Sequence, residues 1–172
     1  MRSALLWVAL IAAVVAGQAG VLSQPRGSAA TTAQPAPAIQ TIGVNVAQAV
    51  VIRLRYGADL LDGLKTAVAE RGIKNAVILS GVGSLTRYRV HVVDNTTFPP
   101  KEAFPEADGP QDLLNVNGYV MDGRVHAHVT FSNQEKALGG HLEPGTKVFT
   151  FAIITLGVLD DKTSLAGFDN WK

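Results

Sequence analysis

Hydrophobic positions recur along this chain with two different periods, and the switch between them lays out the fold. From Ala49 to Arg55 an apolar run carrying Val50, Val51, Ile52 and Leu54 predicts a strand. From Ala58 to Arg71, Leu60, Leu61, Leu64, Ala67 and Val68 recur at i, i+3 and i+4, the spacing of a helix with one face in a core. Asp59 and Asp62 in its first turn, Arg71 in its last and Gly72 just beyond suit the helix dipole and a left-handed C-terminal position. After Gly72 the period becomes two. Asn75 to Ser80 is a short apolar strand, and Gly81-Val82-Gly83-Ser84 predicts a bend. Thr86 to Val93 then alternates, with Tyr88, Val90 and Val92 on one side and Arg87, Arg89 and His91 on the other. Residues 94–112 contain Pro99, Pro100, Pro105 and Pro110 and predict a long loop, of the kind that serves as a lid or an interface. Leu113 to Val120 and Arg124 to Ser132 predict a strand pair joined by Met121-Asp122-Gly123, whose Asp-Gly step favours a hairpin turn. Val148 to Leu159 is apolar on both faces and predicts a central strand, and the tail beyond it has no readable pattern. Strand, helix, then a run of strands predicts an α+β domain: one mixed, mostly antiparallel sheet with one main helix packed on it.

The segment ahead of that domain differs in kind. Arg2 is a short positive start, Ala4 to Ala16 is unbroken apolar sequence, and Gly17-Gln18-Ala19 places small residues at −3 and −1 of a cleavage site. Residues 1–19 therefore read as an export signal peptide, or as an N-terminal anchor where uncleaved, which would be the chain's membrane contact. Residues 20–38 are rich in Ser, Ala, Thr, Gln and Pro and read as a flexible linker. The folded domain is expected over 39–172, in the periplasm or outside the cell.

Composition narrows the chemistry. The formal charge of +1 is too balanced for a general polyanion binder. With no cysteine, disulfides, thiolate zinc sites and iron–sulfur clusters are excluded, so a metal would be held by nitrogen and oxygen. Three of the four histidines fall within sixteen positions. On a strand over 124–132, Val125, Ala127, Val129 and Phe131 point one way, and His126 and His128 point the other. Same-side neighbours on a strand lie about 6.5–7 Å apart, within reach of one ion. Gly139-Gly140 predicts a tight turn that brings His141 back. Either the three imidazoles share a metal, or His126 and His128 occupy a solvated face while His141 caps a turn. Asp122, Thr130 and Glu143 are the nearby groups that could orient them. Arg87, Arg89 and Arg124 with His91 form a second set, readable as a carboxylate-binding patch for a substrate or as an exposed basic face. Tyr56 suits an acid near a metal or a strand-end tyrosine, and Glu102 and Glu106 suit a closing loop or solvent.

Arg53-Leu54-Arg55-Tyr56-Gly57 leading into the helix, the segment Leu79 to Leu85, and His126-Ala127-His128 followed by Gly139-Gly140-His141-Leu142 resemble the PPC (plants and prokaryotes conserved) domain over about Val50 to Leu159. The resemblance implies a compact domain assembling as a homotrimer. Plant members carry AT-hook DNA-binding segments and prokaryotic members often bear a DNA-binding label. The histidine element is also similar to that of acetolactate decarboxylase, which implies His126, His128 and His141 as ligands of zinc or another divalent metal. Two features depart from these families: Phe151-Ala152-Ile153 stands where the decarboxylase's last strand often has a glutamate, and Gln24-Pro25-Arg26-Gly27 is no AT-hook. Three functions follow: an exported metal-binding module of unknown ligand, a zinc-dependent lyase or hydrolase on a small anionic metabolite, or a DNA-binding protein.

Overall fold

The computed structural model describes residues 39–170; the signal and linker expected over 1–38 lie outside them, as do the last two residues. Seven strands and one helix follow in the order β1 (Val46–Arg55), α1 (Leu60–Glu70), β2 (Ala76–Val93), β3 (Glu102–Ala103), β4 (Glu106–Met121), β5 (Arg124–Ser132), β6 (Ala137–Leu142) and β7 (Lys147–Leu159). The sheet runs β1-β7-β2-β4-β5-β6, and β2 also pairs with β6. Strands β2, β4, β5 and β6 therefore close on one another. Every pairing among the described strands is antiparallel. The α+β expectation of a mostly antiparallel sheet with one helix holds, and β7 is interior, with β1 and β2 on its two sides.

Alternation explains which face is buried. Ala127, Val129 and Phe131 of β5, Tyr88 and Val90 of β2, and Ala152, Ile154 and Leu156 of β7 enter one core with Leu60, Leu61, Leu64 and Val68 of α1. Phe131 is fully buried and its ring centroid lies 4.5 Å from that of Tyr88. Asp59 is the N-cap of α1 rather than a first-turn residue. Its Oδ1 accepts from the Leu61 and Asp62 amides, and its Oδ2 accepts from Gly145 N–H at 2.7 Å. One carboxylate thus caps the helix and pins the turn that follows His141.

Three further sequence expectations are corrected. Gly81 and Gly83 do not bend the chain; β2 runs through them. A Cβ on Gly83 would stand 2.1 Å from the Phe151 carbonyl oxygen, so the glycine is there for close strand approach. Likewise Gly139 and Gly140 lie inside β6, where a Cβ would meet Val129 O at 2.5 Å and His91 O at 2.7 Å. The reversal before β6 sits instead at Asn133–Lys136, where the Asn133 side chain accepts from the Glu135 and Lys136 amides. Finally, the proline-rich loop is shorter than expected, because β4 begins at Glu106. Pro110 is accommodated beside Gly109 (φ 135°), where the β2–β4 register slips by a residue and an amide donor is not required.

Candidate metal centre

The β5–β6 hairpin and β2 assemble the site. In register, His128 faces His141 across β5–β6, and His141 faces His91 across β6–β2. Alternation puts these rings on the polar face of the sheet, with His126 two residues before His128. The ring centroids of His126, His128 and His141 lie 4.7 to 5.4 Å apart, and one nitrogen from each falls within 4.8 Å of the others. Zinc–imidazole bonds of about 2.0–2.1 Å at tetrahedral angles need nitrogens about 3.4 Å apart. Side-chain rotation, without a strand movement, closes a gap of that size. The donor set therefore fits a divalent ion of borderline softness, with an open fourth position.

Electrostatics favours the ligating form. Burial, then the neighbouring His91, His126 and His128, push the His141 imidazole down to about 4, with Glu143 pulling weakly the other way. His128 is also lowered, by burial and then by His126 and His91. Both rings are therefore neutral at pH 7, with lone pairs available. A stability consequence follows. Unfolded histidine takes up a proton near pH 6.5, whereas folded His141 resists until about pH 4. The unfolded state binds more protons in that window, so the metal-free protein is fully stable above it and loses stability as pH falls from about 6.5 to about 4. A series of thermal melts in chelator should show this decline, and His141→Gln should flatten it; a melting temperature independent of pH across the window would contradict it.

The tail, unreadable in sequence, supplies a partner. Asp169 Oδ2 lies 3.4 Å from His126 Nδ1, and Arg124 grips the same carboxylate with two bonds of 2.9 Å. The Arg124 hydrogen bond holds the Asp169 carboxyl below its usual range, so it stays charged beside His126. A carboxylate on the second ring nitrogen is the common way to orient a ligating histidine. The tail reaches this point because buried Asn75 holds it: its Nδ2 donates to Thr163 O at 2.9 Å, and its Oδ1 accepts from the Leu165 and Asp122 amides.

The other candidates disperse. Asp122 sits in the β4–β5 turn at φ 51°, and Thr130 lies on β5 opposite Gly139. Glu143 hydrogen-bonds His91 Nδ1 at 2.6 Å. Glu102 stands 3.8 Å from His91 Nε2, whereas Glu106 pairs with Arg87 and Arg89. Arg87 also bonds Asp108, and Arg89 donates to Pro144 O. Of the three arginines, Arg124 reaches the histidine cluster, through Asp169. Tyr56 is exposed and packs edge-on against Phe149. His91, grouped with the arginines by its position on β2, instead stacks on His141 with centroids 4.4 Å apart. Beside His126 opens a cleft of about 710 Å³ lined by Ile42, Tyr119, Met121, Phe168 and Asp169.

An antiparallel sheet folded over one helix, with a histidine cluster on its polar face, defines the class. Residues 42–160 match the Plants and Prokaryotes Conserved (PCC) domain, and the chain belongs to that family. Its fold is shared by a metal-containing protein from Archaeoglobus fulgidus (24% identity, TM-score 0.62, covering 70% of this chain and 86% of that one). A plant- and prokaryote-conserved protein from Pyrococcus horikoshii is similar to the same degree (24%, TM-score 0.61, covering 71% and 85%). Among curated sequences, 106 residues are 29% identical to the bifunctional protein GlmU of Synechococcus sp. (strain JA-3-3Ab). That match covers 61% of this chain but spans only 16% of the relative's length.

Proposed function

We propose that this chain is an exported PCC-domain protein whose His126, His128 and His141 together hold one divalent cation, zinc foremost, leaving a position open to a small anionic ligand. The observation that carries the reading is the meeting of three imidazole nitrogens within 4.8 Å on one sheet face. An all-nitrogen donor set disfavours magnesium and calcium, which take oxygen. The metal-containing description of the Archaeoglobus relative points the same way. Metal analysis of protein purified without a histidine tag should find about one equivalent per chain; none, after purification in zinc-supplemented buffer, would overturn the reading.

The cleft beside His126 favours a second reading, a zinc-dependent lyase similar to acetolactate decarboxylase. An ion at the three histidines would polarise a bound oxygen as a Lewis acid. Asp169 would hold the His126 ring, and Arg124 would keep that carboxylate charged. Chelator-sensitive turnover of a small 2-hydroxy-2-methyl-3-oxo acid would support it; inactivity across a panel of such acids leaves binding alone. Against DNA binding stand the +1 formal charge and the engagement of Arg87, Arg89 and Arg124 by carboxylates.

The partner we propose is two further copies of this chain. The sheet face opposite the helix leaves Val51, Leu79, Val82, Leu114, Phe149 and Phe151 exposed, an apolar area of the sort that self-association covers. Light scattering should give a trimer, and Phe151→Glu should shift it to monomer; a monomeric wild type would refute this assembly.

A further inference from the structure

Beyond the three-histidine cluster, a second set of donors converges on the same face. His91 Nδ1 and Glu143 Oε1 are 2.6 Å apart, and one ligand atom each from His91, His141 and Glu143 lies within 4.8 Å of the others. The rings of His91 and His141 stack nearly parallel, 24° apart. The set is built by two paired strand positions and the residue just past the end of β6 rather than by long surface side chains that happen to meet. His91 and His141 are direct cross-strand partners, and Glu143 follows on the same face of the chain. The Glu143 amide donates to Arg89 O, which fixes the backbone that carries the carboxylate. His91 and Glu143 are only about one-fifth exposed (20% and 21%). On the other side of the His91 ring, Glu102 stands 3.8 Å from Nε2, and Phe104 covers the ring at 5.6 Å.

We infer that His91, Glu143 and His141 form a second divalent-cation position, an alternative to the three-histidine position that shares His141 with it. Before an ion binds, His91 Nδ1 donates to Glu143; an ion there would take the Nδ1 lone pair once the ring's proton moves to Nε2, the side on which Glu102 stands 3.8 Å away. A neutral imidazole ligates through one nitrogen, so His141 serves one ion at a time and the two positions compete for it. Their chemistry differs. Three imidazoles suit zinc, whereas two imidazoles and a carboxylate also admit manganese and iron(II). The inner position should win in the intact protein, because filling the outer one breaks the 2.6 Å bond between His91 and Glu143.

The inference uses the metal reading above only for the role of His141, and its test separates the two. Zinc is titrated into the full chain bearing His126→Ala and His128→Ala, in competition with a chromophoric chelator. One equivalent should bind, on the order of 10²-fold more weakly than in wild type. Adding Glu143→Gln should weaken it at least tenfold further, while Glu143→Gln alone should leave the tight wild-type equivalent in place. No binding by the double variant, or binding indifferent to Glu143→Gln, overturns the second position. Wild type that loses its ion with Glu143→Gln but not with His128→Ala would overturn the three-histidine position and leave this one standing. Far-UV circular dichroism checks folding, and His128→Gln alone serves in place of the double variant if that variant does not fold.

Discussion

His128→Ala strips the tightly held ion from the purified protein. Structural zinc sites with four ligands bind with about 10–16 kcal/mol, so one ligand contributes roughly 2.5–4 kcal/mol, or on the order of 10²–10³ in affinity. His128 is the most accessible of the three histidines and lies on the polar face of β5, opposite the core side chains of Ala127 and Val129. Its loss should therefore leave the melting temperature of the metal-free protein within a degree or two, while the metal content after gel filtration falls from about one equivalent to near zero. Full metal content in this variant that Glu143→Gln does not remove would contradict the ligand assignment. An equal loss of stability without metal would show instead that His128 is structural.

Gly118→Ala should be the most damaging change of a small residue for a small residue near the site. Gly118 holds φ 133°, a region essentially confined to glycine, and faces Ala127 in register, between the two β5 histidines. A Cβ there would stand 2.1 Å from His126 O and 3.0 Å from Ala127 Cα. Both obstacles are backbone, so β5 itself must shift. Backbone strain and overpacking together cost about 2–6 kcal/mol, a drop on the order of 10 °C or more in Tm. The shift displaces His126 relative to His141, so metal affinity falls as well. Gly123→Ala is the control. Gly123 also has positive φ (77°) but nothing within 4 Å of its Cβ position, so the cost is limited to about 1–2 kcal/mol and the site is untouched. Equal effects of the two substitutions, measured by thermal unfolding and metal titration, would refute the close-approach explanation for Gly118.

The contrast between these glycines shows where sequence reading succeeded. Strand β5 is legible to the residue, because its alternation is strict and one face is buried. Helix α1 is legible from its apolar spacing, although only the structure shows Asp59 as its cap. The glycines at 81, 83, 139 and 140 have the sequence signature of turns yet lie within β2 and β6, because a residue without a side chain marks either a bend or a neighbour's close approach, and local sequence does not distinguish them. The same ambiguity hid Pro110, which looks like loop until a register slip opposite β2 provides a place for it. At the site, the period of two puts His126 and His128 on one face, but the sequence predicts the return of His141 from a turn at Gly139-Gly140, whereas the reversal at Asn133–Lys136 and the β5–β6 register bring it opposite His128. His91 carried a signal too, its alternation with Arg87 and Arg89, but its partner is set by β2–β6 register, which depends on the whole sheet. Asp169 carried none. Its approach to His126 depends on a buried asparagine 94 positions earlier gripping the tail, a contact with no local trace.

The most direct measurement of the central claim is an anomalous difference map from crystals of the untagged protein, recorded on both sides of the zinc edge. The account predicts one peak per chain at the meeting point of the His126, His128 and His141 rings, present above the edge and absent below it. A peak confined to His91 and Glu143, or none in protein shown to contain zinc, would contradict it.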